Sequence, residues 1–250
     1  MFVKDIKNYM IFVMFSLFLH PEILGMSKCD QCIVKQFNSL KSLSKEEIVK
    51  ISNCKTSKFF KKGDVIFEEG DVLNGVFCIR DGICKLTKLS ANGKDQIVKL
   101  VVKGELLGQR SLISDQNSNL KATALNDMEV CFIPKSEVMD DLKRNPDFSF
   151  EVLKSMANDL KEADDIIVNM AQKSVRQRLA EALVSINESF GTNPDGTLSV
   201  ILSREDFASI VGTATESAIR VLSQFKKEGL ISTVGKQIKI EDLNGLKNME

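Results

Sequence analysis

The apolar spacing after Pro146 constrains the fold of this chain more than any other feature of its sequence. Charged side chains occupy most faces of this segment, and a single apolar stripe runs between them. The stripe has spacings of 3, 4, 3, 4 and 3, at Leu153, Met156, Leu160, Ala163, Ile167 and Met170. Strict alternation of three and four is typical of a narrow contact between two helices. We therefore predict a dimerisation helix over residues 146–172 that uses these six residues, although the stripe would also suit packing on the chain's own preceding domain.

A β pattern covers residues 56–134. Brief β-branched or aromatic runs alternate there with glycine-containing turns, and no helical pattern separates them. The dipeptides Asp81-Gly82 and Asn92-Gly93 lie between such runs and supply the positive φ angles that tight hairpins require. Short strands at this spacing predict a small barrel or jelly roll. Just before them, the capping-box pair Ser44 and Glu47 predicts a short helix that ends near Cys54.

The C-terminal part of the chain predicts a winged helix-turn-helix, because helices and a terminal hairpin follow one another there. The overall fold class is therefore α+β. The predicted elements are a helix over about 175–190, a short strand over 198–202, a helix opened by the capping box Ser203–Asp206, a tight turn containing Gly212, a helix from about Thr215, and two strands around Val234-Gly235-Lys236.

Composition narrows the function classes. Lys and Arg number 34 and Asp and Glu also number 34, so any contact with nucleic acid must come from a local patch rather than from net charge. The only histidine is His20, which leaves a Ser/His/Asp or Cys/His nucleophilic site without a base and a His-rich metal site without ligands. We therefore do not expect an enzyme. The 6 cysteines have no secretory context, which favours a reducing cytoplasm.

The N-terminal residues 1–28 form an extension ahead of the predicted domains. Residues 9–19 are an apolar run of eleven, shorter than the roughly 20 residues that a membrane-spanning helix needs, so we expect no membrane anchor. No small-residue cleavage pattern follows the run, as a signal peptide would require. We favour Met26 as the biological start, and a genuine N-terminal tail is the alternative.

Several motifs in one register give the chain a resemblance to a known family. They are KKGDVIFEEGD (61–71), FCIRDGICKL (77–86), GELLGQRSLI (104–113), MEVCFIP (128–134), VRQRLAEAL (175–183) and SREDFASIVGTATESAIRVLSQFKKEGLI (203–231). Over essentially everything from Cys29 to the C-terminus, the chain resembles the Crp/Fnr family, that of the cyclic-AMP receptor protein and the fumarate and nitrate reduction regulator. The resemblance implies a double-stranded β-helix (jelly-roll) sensor barrel of the cyclic-nucleotide-binding type over residues 29–145, then the dimerisation helix, then a DNA-binding domain over residues 173–250.

By the family's pattern, the helix that starts near Thr215 is the recognition helix. Glu216 and Arg220 match the family's glutamate and arginine, and these side chains suit cytosine N4 and guanine O6/N7 in the major groove. The alternative is that Glu216 only closes a capping box begun at Thr213, with Arg220 as its intrahelical partner. Lys227 is a further candidate for phosphate contact. The DNA-binding residues predicted in this way are Ser203, Thr215, Glu216, Ser217, Ile219, Arg220, Lys226 and Lys236.

In the sensor barrel, GELLGQRSLI resembles the family's phosphate cassette, in which a glycine turn and a helix start offer N–H groups to an anion. The predicted effector pocket comprises Gly104, Glu105, Gly108, Gln109, Arg110 and Ser111. Gln109 replaces the family's ribose-binding glutamate, and Ser118 and Asn119 lie where its phosphate-binding arginine would be. Without that arginine a cyclic phosphate loses charge-assisted hydrogen bonds of about 1.5–3 kcal/mol, so we do not expect cyclic AMP to be the effector.

Cysteines raise the possibility of a metal centre. Cys29, Cys32 and Cys131 fall where the iron-sulfur branch of the family has three of its four cluster ligands, but Asn38 occupies the remaining position. A cubane cluster normally needs four thiolates, so we assign no metal and leave the iron-sulfur cluster, a zinc or thiol redox site and plain buried cysteine as alternatives.

Together these features predict a homodimeric transcription regulator. Its partners would be double-stranded DNA, a second copy of itself and RNA polymerase, with no membrane. A sensor event at the barrel would shift the contact between two protomers and reorient paired recognition helices. The competing hypothesis is a small-ligand or redox-sensing module with no direct role on DNA.

Overall fold

The structure, a computed structural model, describes residues 39–91 and 93–249. A 3₁₀ turn over Ser39–Ser42 leads into helix α1 (Lys45–Cys54). The predicted capping box is present at the start of α1, where Glu47 N–H donates to Ser44 Oγ at 3.2 Å and Ser44 N–H donates to the Glu47 carboxylate at 2.8 Å. Within the described residues no helix combines the length and the apolar character needed to cross a bilayer.

Eight strands form the sensor barrel as two antiparallel sheets of four, with orders β1-β8-β3-β6 and β2-β7-β4-β5. One buried cluster draws apolar side chains from both sheets, including Phe77 and Val101, so the core lies between them. The jelly-roll prediction is confirmed. In chain order the elements are β1 (Thr56–Phe60), β2 (Val65–Phe67), β3 (Gly75–Asp81), β4 (Ile83–Leu89), β5 (Asp95–Val102), β6 (Leu106–Leu107), α2 (Gln109–Ser114), β7 (Lys121–Ala124) and β8 (Met128–Pro134).

The two predicted hairpins have different outcomes. The hairpin at Asn92-Gly93 is confirmed, because β4 pairs with β5 and Gly93 has φ +77°. The hairpin at Asp81-Gly82 is wrong, because β3 and β4 belong to different sheets. Gly82, at φ +97°, is instead the corner at which the chain crosses between the sheets, and a Cβ there would lie 2.3 Å from Met128 Cβ. Both sites need a positive φ, and this shared need is why the dipeptide does not distinguish them.

Two helices follow the barrel, α3 (Lys135–Arg144) and α4 (Pro146–Gln172). Asn145 caps α4 by accepting from Phe148 N–H at 3.0 Å, and Pro146 begins the helix, where no N–H is needed. Phe148 and Val152 bury the first turns of α4 against the barrel. The 27 residues of α4 then extend for about 40 Å, mostly exposed.

The C-terminal domain has the helices and the wing that the sequence predicts, around a core that contains Phe207 and Phe225. The predicted strand over 198–202 is wrong, since only isolated bridges occur there, from Leu198 to Thr192 and from Thr197 to Lys239. The apolar alternation of that segment instead buries Leu198, Val200 and Leu202 in the core. The domain consists of α5 (Val175–Phe190), α6 (Arg204–Val211), α7 (Thr215–Lys227), β9 (Ile231–Val234), β10 (Gln237–Ile240) and α8 (Leu243–Lys247).

Candidate nucleic-acid interface

Helices α6 and α7 form the helix-turn-helix. Ser203 caps α6, accepting from Asp206 N–H at 3.0 Å while its own N–H donates to Asp206 Oδ2 at 2.9 Å. Gly212, at φ +64°, ends α6 in the left-handed region and permits the tight turn. Ala214 is the N-cap of α7 and no side chain caps this helix. The alternative of a capping box between Thr213 and Glu216 is therefore wrong.

Helix α7 has one buried and one exposed face. Ala218, Val221, Leu222 and Phe225 are buried in the domain core. The predicted base-contacting residues Glu216 and Arg220 are exposed, and their i, i+4 spacing places them on one face. Ile219 lies beside them at 44% exposure, and Thr215 and Ser217 are half-buried. The face that remains open on α7 is thus the one that carries a carboxylate and a guanidinium.

The predicted phosphate-contacting residues differ in their surroundings. Lys226, Lys227 and Lys236 are exposed, and Lys236 lies in the wing turn between β9 and β10. Lys226 Nζ is 3.3 Å from Thr233 Oγ1 of the wing. The Ser203 hydroxyl is already engaged, because it donates to Asp206 Oδ2 at 2.6 Å.

The predicted dimer stripe on α4 is divided between two environments. Leu153, Leu160 and Ile167 are 63%, 64% and 66% exposed, and Ala163 is exposed as well. Met156 and Met170 are half-buried against the chain's own domains: Met156 packs on the barrel core, and a Cβ on Gly212 would lie 2.9 Å from Met170 Sδ. The exposed part also includes Phe150 and Val168, which the sequence analysis did not include. Both readings of the stripe thus describe part of it.

A cavity of about 920 Å³ lies between the barrel and α4. Five of the six predicted effector residues line it: Glu105, Gly108, Gln109, Arg110 and Ser111. The sixth, Gly104, is buried and donates its N–H to Ile79 O at 2.9 Å. Apolar side chains such as Ile97 of β5 and Ile166 of α4 form other parts of the wall.

Lys99 in β5 dominates the electrostatics of the cavity. Its Nζ lies 2.8 Å from Asp159 of α4 and 3.1 Å from Glu105. Burial opposes the charged form, but the hydrogen bond to Asp159 and the negative charge of Glu105 outweigh it, so the pKa of Lys99 is raised. Glu105 also accepts from Val102 N–H at 2.8 Å. Lys99 therefore stays protonated and fastens the barrel to the long helix.

Family comparisons match both halves of the chain. The description "Cyclic nucleotide-binding domain" matches residues 57–145, and "Crp-like helix-turn-helix domain" matches residues 177–249. The chain is similar to the anaerobic regulatory protein of Haemophilus influenzae, with 29% identity over 87% of this chain and 86% of the relative. It is also similar to the fumarate and nitrate reduction regulatory protein of Escherichia coli K12, with 27% identity over 88% and 89%. The chain belongs to the Crp/Fnr family of transcription regulators.

Solved structures agree on the fold of this Crp/Fnr regulator. FixK2 from Bradyrhizobium japonicum has a TM-score of 0.71 at 22% identity, and the match covers 78% of this chain and 97% of that one. A CRP/FNR-family transcriptional regulator from Thermus thermophilus has a TM-score of 0.63 at 24% identity, covering 77% and 96%. The likeness therefore extends over both the barrel and the helix-turn-helix.

The cavity of this Crp/Fnr regulator does not fit cyclic AMP. Ser118, at the place of the expected arginine, is buried, and its hydroxyl donates to Leu120 O at 2.7 Å. Three lysines of the wall already face carboxylates: Lys41 pairs with Glu151 at 2.8 Å, Lys88 with Glu69, and Lys99 with Glu105 and Asp159. A cyclic phosphate would have to displace such a carboxylate to gain a cation.

Cysteines of the described barrel are part of its core. Cys78 and Cys131 lie directly opposite each other on β3 and β8, and both are buried. Burial raises the pKa of Cys84 to about 12, which keeps this thiol protonated. The other candidate positions, Cys29, Cys32 and Asn38, lie outside the described residues. Within the part of the chain that the structure describes, no group of three His, Cys, Asp or Glu residues is arranged to hold a metal ion.

Contacts between α6 and the barrel were missed by the sequence analysis. Lys85 of β4 pairs with Asp206 at 2.6 Å, and Ser209 of α6 bonds to the backbone of β5. These partners are 112 to 121 positions apart, and no local motif signals contacts over such a separation.

Proposed function

We propose that two copies of this Crp/Fnr regulator pair along α4 and bind double-stranded DNA, with α7 of each copy in the major groove. The observation that carries the proposal is the exposed face of α7, where Glu216 and Arg220 stand together on a helix whose opposite face is buried. Glu216 accepts from cytosine N4 and Arg220 donates two bonds to guanine O6 and N7, each pair giving about 1–3 kcal/mol of discrimination. Thr215 and Ile219 flank them and take part in base selection.

Phosphate contacts position the protein on the duplex. Ser217, Lys226, Lys227 and Lys236 are the residues we assign to them, and Ser203 contributes from the start of α6. Residues 173–250 contain ten basic and ten acidic side chains, so binding depends on where the lysines lie and not on net charge.

Dimerisation uses the exposed stripe of α4. Leu153, Leu160 and Ile167 offer large apolar side chains to a second copy, and their spacing of seven suits a parallel pair of helices. Two recognition helices would then meet half-sites about 34 Å apart, one turn of DNA. The proposed functional units are the N-terminal extension 1–28, the sensor domain 29–145, the dimerisation helix 146–172 and the DNA-binding domain 173–250.

Control comes from the cavity between the barrel and α4. Its wall contains both the cassette residues and part of the dimer helix, so an occupant contacts sensor and dimer at once. We assign the chain no catalytic residues, a place in the cytoplasm, and RNA polymerase as a further partner. We assign it no metal and no membrane association.

The test is a mobility-shift assay with DNA from the upstream region of the gene itself. We expect the wild-type protein to retard the fragment and Arg220→Ala to lose most of this binding. Arg144→Ala is the matched control, since Arg144 is exposed at the end of α3, outside the DNA-binding domain. Equal binding by Arg220→Ala would refute the role of α7. Failure of the wild-type protein to bind any such fragment would favour the ligand-sensing module instead.

A further inference from the structure

Strand β5 forms a hydrogen-bonded contact with the first helix of the helix-turn-helix. β5 is the edge strand of its sheet, so one side of its backbone has no neighbouring strand. Ser209 of α6 occupies that side: its hydroxyl accepts from Ile97 N–H at 2.8 Å and donates to Asp95 O at 2.6 Å. The Gln96 side chain adds a bond to Ser209 O. A single serine thus satisfies a donor and an acceptor that an edge strand leaves open.

An ion pair strengthens this contact from the next strand. Lys85 Nζ of β4 lies 2.6 Å from Asp206 Oδ1, and the two side chains are only 24% and 12% exposed. Burial disfavours the Asp206 carboxylate, but hydrogen bonds from Lys85 and Ser203 hold its pKa below the usual range. Ile83 and Leu100 of the barrel also pack against the core of the DNA-binding domain. The helix-turn-helix is therefore seated on the sensor within one chain.

The same strand lines the effector cavity. Gln96, Ile97 and Lys99 all face the cavity of about 920 Å³, and Gln96 and Ile97 are also two of the residues that bond to Ser209. A molecule that enters the cavity and displaces β5 must therefore disturb the seat of α6. This route runs within one protomer and does not pass through the dimer stripe.

The seat places negative charge beside the recognition helix. A second cleft lies between the turn joining β4 to β5 and the start of α7, and it is lined by Thr215 together with Asp95 and Glu205. Two lysines of that cleft are already paired, Lys85 with Asp206 and Lys121 with Glu68. Phosphates that flank a duplex on Glu216 and Arg220 would approach these carboxylates, and like charges repel.

We propose that β5 is a docking strand that holds the helix-turn-helix in a position of low DNA affinity, and that an occupant of the cavity releases it. The proposal rests on the proposed function, because it concerns the affinity of the same α7 for DNA. Release separates Asp95 from the start of α7 and frees the domain to adjust to the duplex.

The test compares full-length variants for DNA affinity without any added ligand. Ser209→Ala and Lys85→Ala break the contact from its two sides, and each should bind DNA about fivefold more tightly, the equivalent of one net hydrogen bond of ~1 kcal/mol. Ser199→Ala and Lys88→Ala are the controls, since Ser199 bonds within its own domain and Lys88 pairs with Glu69 within the barrel. A folding defect would not raise affinity, and it would not be shared by changes in two different domains.

Hydrogen exchange at the Ile97 amide gives a readout that does not depend on DNA. This amide should exchange faster in Ser209→Ala than in the wild type or in Ser199→Ala, because it loses its acceptor. Unchanged affinity with unchanged exchange would overturn the docking, and weaker DNA binding by both variants would show that the docked form is the one that binds. If no form binds DNA, the proposed function fails, and the low-affinity state proposed here fails with it, while the Ile97 exchange alone still decides whether Ser209 docks on β5.

Discussion

Replacing Leu160 by alanine tests the pairing of two copies along α4. Leu160 lies at the middle of the exposed stripe with 64% of its surface open. Full burial of a leucine side chain contributes about 2 kcal/mol, so covering the open part contributes roughly 1.3 kcal/mol per protomer and about 2.6 kcal/mol per dimer. At 1.4 kcal/mol per factor of ten, the dissociation constant of the dimer should rise about 70-fold.

Sedimentation velocity over a dilution series measures this constant directly. Val49→Ala is the matched control, because Val49 is a 50% exposed apolar residue on α1, away from the stripe. We expect the control to dissociate like the wild type and Leu160→Ala to become monomeric at much higher concentration. A wild-type protein that sediments as a monomer throughout, or a Leu160→Ala protein with an unchanged constant, would refute the dimer along this stripe.

Three further predictions concern the barrel and its helical junction. Burial and the charge of Glu47 raise the pKa of Asp141 to about 6, so the folded state holds this proton more tightly than the unfolded chain and stability is lost as the pH rises from about 4 through 6; Asp141→Asn should therefore increase the free energy of unfolding above pH 6 by about 1–3 kcal/mol and flatten that slope in urea titrations. Gly82→Ala should lower the free energy of unfolding by about 2 kcal/mol or more in the same titrations, because φ is +97° and the new Cβ would lie 2.3 Å from Met128 Cβ, whereas the same change at Gly93, where nothing lies within 4 Å, should cost less. Cys84, buried and with a pKa of about 12, should resist iodoacetamide at pH 8 until urea unfolds the barrel, as read by mass spectrometry of its peptide; modification at the native rate of an exposed thiol would contradict its burial.

Local motifs predicted the elements of this fold better than their pairing. The capping boxes at Ser44 and Ser203 depend only on residues three apart, and both are present. Gly82 and Gly93 have equal need of a positive φ, yet one closes a hairpin and the other turns a corner between sheets. Which of these a glycine does depends on the partners of the two strands, and those partners are distant in sequence.

The candidate site divides in the same way. The exposed face of α7 follows from helical periodicity, because burying Val221 and Phe225 leaves Glu216 and Arg220 on the outside. The division of the α4 stripe was not predictable from spacing, since the heptad pattern is the same whether a residue faces a second copy or the chain's own barrel. The position of α4 on the barrel decides it, and Met156 lies on the side that faces the barrel core.

Strand β5 explains why a signal can leave the barrel by two routes. Through Lys99 it is fixed to Asp159 of α4, and through its edge backbone it is fixed to Ser209 of α6. Antiparallel pairing with β4 prevents the strand from moving one residue at a time, so a displacement at Ile97 is felt at both contacts. The ion pair is the stronger tie of the two, because separating it would leave buried charges without partners, whereas the serine bonds exchange readily with water. An occupant of the cavity should therefore release α6 before it disturbs α4, which predicts that DNA affinity responds to the sensor at concentrations where the dimer is still intact.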